Sequence, residues 1–351
     1  MKLHNDKDAF ILLLTQISER TGIRADILEK DYYVTLMLEE LSQKQQTVPA
    51  YFKGGTALYK ALGTIRRFSE DIDLTVEIRD CSNTQAKKRL ENVSKRYSVL
   101  DRTTDKSLEI DKKGNITAIY DYTPVVAADT NDPLQRFRCV KVEATSFTVS
   151  EPYETDTISA AIYMNANENE KAILERNYDV KPFEVKTITL ERIFADKVLA
   201  AEYYFEKEEY FDTAKHIYDI AVMVEQPRIK ALLDNKEQLG KMIAFKRDEE
   251  QRRFGSDLSD KPFSEYKIFD SIQNEELRKT FETMQNIYVF DPADRINFDA
   301  VISVIQELQE VFFEQDRTFI ESEVHDTEPV YSMEDTDDEE IEQEEGMTMM
   351  L

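Results

Sequence analysis

The stretch of residues 52–76 constrains the fold more than any other part of the sequence. Two of the chain's eight glycines, Gly54 and Gly55, stand side by side in it, so a chance turn explains them poorly. The pattern predicts a short strand, a tight diglycine turn and a short helix that begins near Thr56. Glycine lets the backbone approach a charged ligand closely, and the unpaired N–H groups at a helix N-terminus attract anions. We therefore interpret this segment as a phosphate cradle.

The same stretch ends in a second predicted strand, which carries Asp71 and Asp73. Side chains two residues apart on a strand point to one face, so these aspartates lie together while Ile72, Leu74 and Val76 turn to the core. Neighbouring carboxylates repel unless a cation lies between them, and Mg²⁺ with substrate phosphates is the usual solution. Taken alone, an Asp-x-Asp pair is more commonly a solvated strand edge. Its position after the diglycine favours a metal site.

The composition is that of a globular, helix-rich chain. Of the 351 residues, 41% are hydrophobic and 33% are charged. No run of about 18 apolar residues is present, and the N-terminus lacks a signal-peptide core, so we expect a cytoplasmic protein without a membrane partner. Cys81 and Cys139 are far apart and form no Cys-x-x-Cys pair, so neither a disulfide framework nor a zinc site is indicated.

The net charge of −26 excludes a globally basic surface for nucleic acid. From residue 321 onward there are thirteen acidic side chains and no lysine or arginine, which leaves −13 for the rest of the chain. This tail is too charged to fold alone. A polyanionic substrate therefore needs a local basic patch or bound metal. One basic cluster, Lys246, Arg247, Arg252 and Arg253, could bind a polyanion or neutralise the tail.

Two helices downstream carry candidate polar residues. In a helix predicted from Leu190 to about Lys207, Lys197 interrupts the apolar stripe, so it must reach solvent or meet an anion. In the next predicted helix, Asp212, His216 and Asp219 share one face. That face is either a solvated surface or part of a site.

These pieces resemble a known family. The Gly-Gly and Asp-x-Asp arrangement is similar to the signature of the nucleotidyltransferase superfamily of the polymerase-beta type. More narrowly, residues 53–58 and 67–74 resemble the AbiEii/AbiGii toxin family of bacterial abortive-infection and toxin–antitoxin systems. Segments 28–36, 191–200 and 215–219 resemble the same family. In the first of these we expect a helix that covers the sheet, with Lys30 and Asp31 at the surface or supporting the site.

The resemblance implies a third metal-binding carboxylate on a strand beside the Asp-x-Asp strand. The strand predicted over residues 135–147 places Val140, Val142 and Ala144 on one face and Glu143 on the other. Glu143 is our candidate, and an outward-pointing glutamate without a role is the alternative.

The resemblance also implies the roles of the other site residues. Asp71 and Asp73, with Glu143, would hold one or two Mg²⁺ ions. The phosphates of an NTP would be cradled by Gly54, Gly55, Thr56 and Ser69. Lys197 would offset charge on the leaving pyrophosphate, and Asp219 would orient Lys197 or accept a proton.

The implied fold is α+β: a small mixed sheet flanked by helices, followed by a helical C-terminal half. We expect a nucleotidyltransferase core with N-terminal helices over residues 1–225, a helical region over 226–320 and a disordered acidic tail over 321–351. The implied activity is Mg²⁺-dependent transfer of NMP from an NTP to RNA, with tRNA ends as the precedent, restrained by a cognate antitoxin. Two alternatives stay open: an NTP-binding regulatory protein without catalysis, and a transferase that nucleotidylates protein.

Overall fold

The structure is a computed structural model of the 351-residue chain, and it describes residues 1–63, 66–127, 138–146, 151–254 and 261–323. Within these ranges a mixed β-sheet is flanked by helices and the C-terminal half is helical, which confirms the predicted α+β class. The expected acidic tail lies outside the described residues from residue 324 onward. The expected boundaries at residues 225 and 320 stay a prediction.

The described strands form one mixed sheet. They are β1 (Ala50–Lys53), β2 (Ile72–Val76), β3 (Asp101–Arg102), β4 (Ile110–Lys112), β5 (Asn115–Asp121), β6 (Cys139–Thr145), β7 (Tyr153–Ile158) and β8 (Phe183–Ile188). Their order is β3-β5-β6-β2-β1-β8-β7, and β4 pairs with β5. The central strand β2 runs antiparallel to β1 and parallel to β6. The Asp-x-Asp strand therefore lies mid-sheet, beside the strand that carries Glu143.

The described helices include both of those predicted to carry polar site residues. They are α1 (Lys7–Thr21), α2 (Ala25–Lys44), α3 (Gly54–Lys60), α4 (Asn83–Lys95), α5 (Ala161–Met164), α6 (Glu168–Tyr178), α7 (Leu190–Glu206), α8 (Tyr210–Met223), α9 (Pro227–Asp234), α10 (Lys236–Phe254), α11 (Glu275–Tyr288) and α12 (Phe298–Glu323). Over the described ranges, none of them combines the length and apolar character that a membrane-spanning helix needs.

The two faces of the central strands differ in character. Ile72, Leu74 and Val142 are fully buried on one face, as the alternation of apolar residues predicts. Helices α2 and α4 pack against the sheet through β5, β6 and β8. One residue along each strand, Asp73 and Glu143 point to the opposite face, so the acidic groups of the site are set by the same alternation that builds the core.

The C-terminal helices share the core of the sheet. Helices α7 and α8 pack against each other, and α11 and α12 pack on α8. One large cluster of buried apolar side chains includes residues from Leu3 to Phe312. Near the site, the backbone N–H of Phe68 donates to the carbonyl oxygen of Tyr288 at 2.8 Å. The helical half therefore contacts the loop that leads into β2.

Lys246, the first residue of the predicted basic cluster, does not lie at the surface. Lys246 is fully buried because α10 packs against α7, and its Nζ lies 2.5 Å from the Asp196 carboxylate. Burial alone would raise the pKa of Asp196, but Lys246 and Arg192 outweigh it and lower the pKa to about 2. Lys246 is thus engaged inside the protein rather than available to a polyanion. The side chains of Arg247 and of residues 252–253 lie outside the described part.

Candidate active site

The diglycine packs directly against an Asp-x-Asp carboxylate. Gly54 has a φ of +76°, the left-handed region that favours glycine, and helix α3 begins there rather than near Thr56. A Cβ added to Gly54 would lie 2.4 Å from Oδ2 of Asp73. The two halves of the sequence motif therefore meet in space, and only a residue without a side chain fits between them.

The remaining predicted phosphate-binding residues gather at the same point. A Cβ added to Gly55 would lie 2.9 Å from Oγ of Ser69 and 3.0 Å from Nη2 of Arg67. The hydroxyls of Thr56 and Ser69 are 2.9 Å apart, so either can donate to the other. The structure thus brings Gly54, Gly55, Thr56 and Ser69 together. Hydroxyls that hydrogen-bond each other can also turn to an incoming phosphate oxygen.

Glu143 lies beside Asp73 in the sheet. In the parallel pairing of β2 with β6, Asp73 is opposite Glu143, and in the antiparallel pairing of β1 with β2 it is opposite Lys53. Burial and the neighbouring Asp73 raise the pKa of Glu143 to about 7, although Lys141 and Lys53 oppose the shift. Its Oε2 atom is buried without a hydrogen-bond partner among the described residues. This arrangement indicates a site that is short of positive charge.

Asp71 and Asp73 are in different surroundings. Asp71 is partly exposed and its Oδ2 lies 3.0 Å from Nζ of Lys141. Burial would lower the pKa of Lys141, but Asp71 and Asp73 outweigh it and the pKa is raised. Asp73 is buried, and its own pKa is raised by burial first and by Asp71 next, against the lowering effects of Lys141, Lys53 and Lys197. Lysine ammonium groups therefore supply the positive charge near the aspartates.

The described residues contain no group of three or more histidine, cysteine, aspartate or glutamate side chains placed to hold a metal ion by themselves. The residues nevertheless fit Mg²⁺, because this ion is normally held by one or two carboxylates together with substrate phosphates. Asp73 and Glu143 are adjacent on neighbouring strands, and Oε2 of Glu143 has no hydrogen-bond partner among the described residues. Asp71 lies two residues before Asp73. Glu143 as a metal ligand stays a prediction.

Lys197 and Asp219 form one buried ionic group with Arg67. Arg67 makes a bidentate pair with Asp219, with Nε–Oδ1 at 2.7 Å and Nη2–Oδ2 at 2.6 Å. Nζ of Lys197 lies 3.1 Å from Oδ2 of the same aspartate. Burial would raise the pKa of Asp219, but Arg67 and Lys197 outweigh it and lower the pKa. The lysine on the apolar stripe of its helix thus meets an anion inside the protein.

His216 is a neutral wall of the cleft. Its ring stacks on Tyr204 with centroids 5.4 Å apart and an interplanar angle of 13°. Burial, followed by Lys197, Arg67 and Lys215, lowers the pKa of His216 well below its usual value. Asp212 of the same predicted face pairs instead with Lys215, at 2.8 Å. Of the three residues predicted to share one face of α8, Asp219 belongs to the buried ionic group, whereas Asp212 and His216 line the cleft.

These groups enclose a cleft of about 130 Å³. It is lined by Gly55, Arg67, Phe68, Ser69, Glu70, Asp71, Asp73, Lys141, Lys197, Tyr204, Asp212, Lys215, His216 and Tyr288. Ligand sites usually measure roughly 300–1,000 Å³. The cleft is therefore smaller than a typical ligand site. Carboxylates and cations line it together, with Asp71 beside Lys141 and Asp212 beside Lys215, an arrangement suited to a polyphosphate with its metal.

Sequence reasoning did not single out Lys141, Tyr204 or Tyr288. Lys141 had a signal, because it shares its face of β6 with Glu143. Tyr204 also had one, since it lies two helical turns after Lys197 on α7. Tyr288 had none, because it reaches the cleft through a contact with Phe68 that is remote in sequence.

Comparison with known proteins gives one family. The family model described as "Nucleotidyl transferase AbiEii toxin, Type IV TA system" matches residues 36–312, which is well over half of the 351-residue chain. The match contains α3, β2, β6, α7, α8 and α11, and so every described helix and strand that lines the cleft. No curated protein matches the chain.

Proposed function

Since the chain belongs to the nucleotidyl transferase AbiEii toxin family of type IV toxin–antitoxin systems, we propose that it transfers NMP from an NTP to an RNA acceptor. One observation carries the proposal above all. The left-handed Gly54 lies against the Asp73 carboxylate, so the phosphate cradle and the acidic strand form one surface. Lys197 lines the same cleft.

Asp71 and Asp73, with Glu143, would hold Mg²⁺ in this site. When bound, the ion offsets the charge of the triphosphate and of the attacking oxygen during an in-line displacement. Part of the residues' own contribution is electrostatic: the pKa values of Asp73 and Glu143 are raised, so a cation is favoured beside them.

The cradle would bind and orient the phosphates. The backbone at Gly54 and Gly55 leaves room for a close approach, and the hydroxyls of Thr56 and Ser69 would donate to phosphate oxygens. Catalysis of phosphoryl transfer consists almost entirely of positioning the reacting groups and stabilising their charge. We assign these four residues to substrate positioning.

Lys197 would offset negative charge on the leaving pyrophosphate. Asp219 holds it there: the aspartate is fully buried, carries two cationic partners and has a lowered pKa. A carboxylate that is so strongly held in its ionised form is a poor proton acceptor. We therefore assign Asp219 to orienting Lys197 rather than to proton transfer.

Membership of the family supports a proposal for the acceptor and the regulation. We propose RNA, with tRNA as the first candidate, and an antitoxin as the partner that restrains the activity. The net charge of −26 favours a second candidate, nucleotidylation of a protein hydroxyl, because an acidic chain repels nucleic acid. A regulatory protein that binds NTP without turnover is the third.

One experiment separates these candidates. The purified protein is incubated with Mg²⁺, each α-³²P-labelled NTP and total bacterial RNA, beside an Asp71→Ala/Asp73→Ala variant. Asp80→Ala/Asp234→Ala, which removes two exposed aspartates, is the matched control. We expect label on an RNA band with wild type and control alone. Label on protein would move the assignment to protein nucleotidylation, and nucleotide binding without label would leave the regulatory function.

A further inference from the structure

Two neighbouring charged residues of α2, Lys30 and Asp31, are buried below the candidate site. Each is 1% exposed, so of the two expectations for these residues, a surface position and a role supporting the site, the surface position is wrong. The reason is that α2 packs against the sheet, and charged side chains on its inner face must find partners there. Each of the two residues contacts one of the two segments that form the phosphate cradle.

Lys30 holds the segment that leads into β2. Its Nζ donates to the carbonyl oxygen of Cys139, the first residue of β6, and lies 3.4 Å from Oε2 of Glu70. Glu70 stands between Ser69 of the cradle and Asp71 of the acidic pair, and all three line the cleft. Lys30 therefore ties the loop that carries a phosphate-binding hydroxyl and a metal-binding carboxylate to the neighbouring strand.

Asp31 holds the helix that follows the diglycine. Its Oδ1 lies 2.5 Å from Nζ of Lys60, the last residue of α3, and its Oδ2 accepts from the backbone N–H of Ala161 at 2.5 Å. Both carboxylate oxygens are thereby used, and the Lys60 ammonium is buried with them. Since α3 is short, fixing its last residue also fixes Gly54 and Thr56.

We propose that Lys30 and Asp31 are positioning residues that hold the two halves of the phosphate cradle at their working separation, an inference that rests on the proposed function. Adjacent residues on one rigid helix turn set the distance between α3 and the segment 69–71. Stability is a weak explanation for them, because a buried ion pair is often no more stabilising than an apolar pair of similar volume. Precise placement of phosphate and metal ligands is a stronger one.

The two residues act on different steps. Asp31 acts through α3, which contacts the phosphates, so its loss weakens triphosphate binding and raises KM. Lys30 acts through Glu70 beside Asp71, so its loss disturbs the metal-binding carboxylate and lowers kcat. Charge-assisted hydrogen bonds of this kind are worth about tenfold or more in an equilibrium or rate. A merely structural role would produce neither effect selectively.

The test uses the full chain with Asp31→Asn/Lys60→Met and Lys30→Met. The first variant removes both charges of its pair, so it avoids an uncompensated buried ammonium and is expected to fold. Binding of inorganic triphosphate is measured calorimetrically with and without Mg²⁺, and kcat and KM for the NTP are measured beside it. Glu29→Gln is the matched control, because Glu29 is equally buried on α2 but accepts from the N–H groups of Val125 and Val126, away from the cradle.

We expect Asp31→Asn/Lys60→Met to weaken triphosphate binding at least about tenfold. We expect Lys30→Met to lower kcat by a similar factor and to reduce the enhancement of triphosphate binding by Mg²⁺, with KM little changed. Wild-type values in both variants, or equal losses in Glu29→Gln, would overturn the inference. A wild type that binds triphosphate but transfers nothing would refute the proposed function alone, and one that binds no triphosphate would refute both.

Discussion

Among the adjacent carboxyl groups of β2 and β6, that of Glu143 makes the folding stability depend on pH. Burial first, and Asp73 second, raise the pKa of this carboxyl from 4.5 to about 7 in the folded protein. The folded state therefore holds the proton more tightly than the unfolded chain does. The stability gained from that proton is fully present below the unfolded pKa and is lost as the pH rises through about 7.

The size of the effect follows from the two pKa values. At about 1.36 kcal/mol per unit of pKa difference between the two states, the change in pKa from 4.5 to about 7 corresponds to about 3 kcal/mol in the free energy of unfolding. Of this, about 2 kcal/mol is lost between roughly pH 5.5 and pH 8. Asp73 shifts in the same direction for the same first cause. Its contribution adds to the slope rather than cancelling it.

The perturbation that isolates the effect is Glu143→Gln, which keeps the size of the side chain and removes its titration. Urea unfolding is measured at closely spaced pH values between about 5.5 and 8, without divalent metal. We expect the free energy of unfolding of wild type to fall across this range by about 2 kcal/mol more than that of the variant. Glu184→Gln, at an exposed position of β8, serves as the control and should follow wild type.

The outcome that would refute the reasoning is a parallel pH dependence of wild type and Glu143→Gln. That result would mean that Glu143 is ionised throughout this pH range. The lysines near Asp73 and Glu143 would then supply enough positive charge to keep both carboxylates ionised. Mg²⁺ adds a second arm to the assay. Because a cation stabilises the ionised carboxylates, it should raise the melting temperature of wild type more at about pH 8 than at about pH 5.5.

Two further substitutions test the rest of the site. Gly54→Ala should reduce the rate of transfer by about a hundredfold, because its Cβ would displace the Asp73 carboxylate. Gly22→Ala is the control, because Gly22 has nearly the same positive φ but open space around it. The control should lower the free energy of unfolding by only about 1–2 kcal/mol and leave transfer unchanged. Asp219→Asn leaves Lys197 and Arg67 buried without their anion, so the free energy of unfolding measured in urea should fall by about 3–5 kcal/mol. An unchanged urea midpoint would contradict the buried ionic group of Arg67, Lys197 and Asp219.

Much of the site was readable from local pattern. The alternation along β2 and β6 assigned their side chains to the two faces of the sheet correctly, because successive side chains of a strand point to opposite faces. It did not show that both faces of β2 are buried. The diglycine was informative for a related reason. A side chain at Gly54 would collide with a carboxylate, so the sequence records a close approach that is local to the motif.

The pairing of remote charges was not readable. Nothing in the spacing of residues on α2 shows that Asp31 meets Lys60, or that Lys30 reaches the first residue of β6. An amphipathic pattern assigns charged residues to solvent by default. These residues depart from that pattern because their partners are brought by other elements, and only the packing of helix on sheet reveals them. Lys246 was misassigned for the same reason.

The hydrogen bond from Phe68 to Tyr288 has a consequence for the timing of activity during synthesis. Translation delivers the diglycine and the Asp-x-Asp strand early and α11 late, and domains form as their segments emerge. The cleft wall at Tyr288 is absent from every nascent chain shorter than that point. We expect a nascent chain to lack a complete cleft until α11 has been synthesised, so the transfer activity proposed above would begin only late in translation.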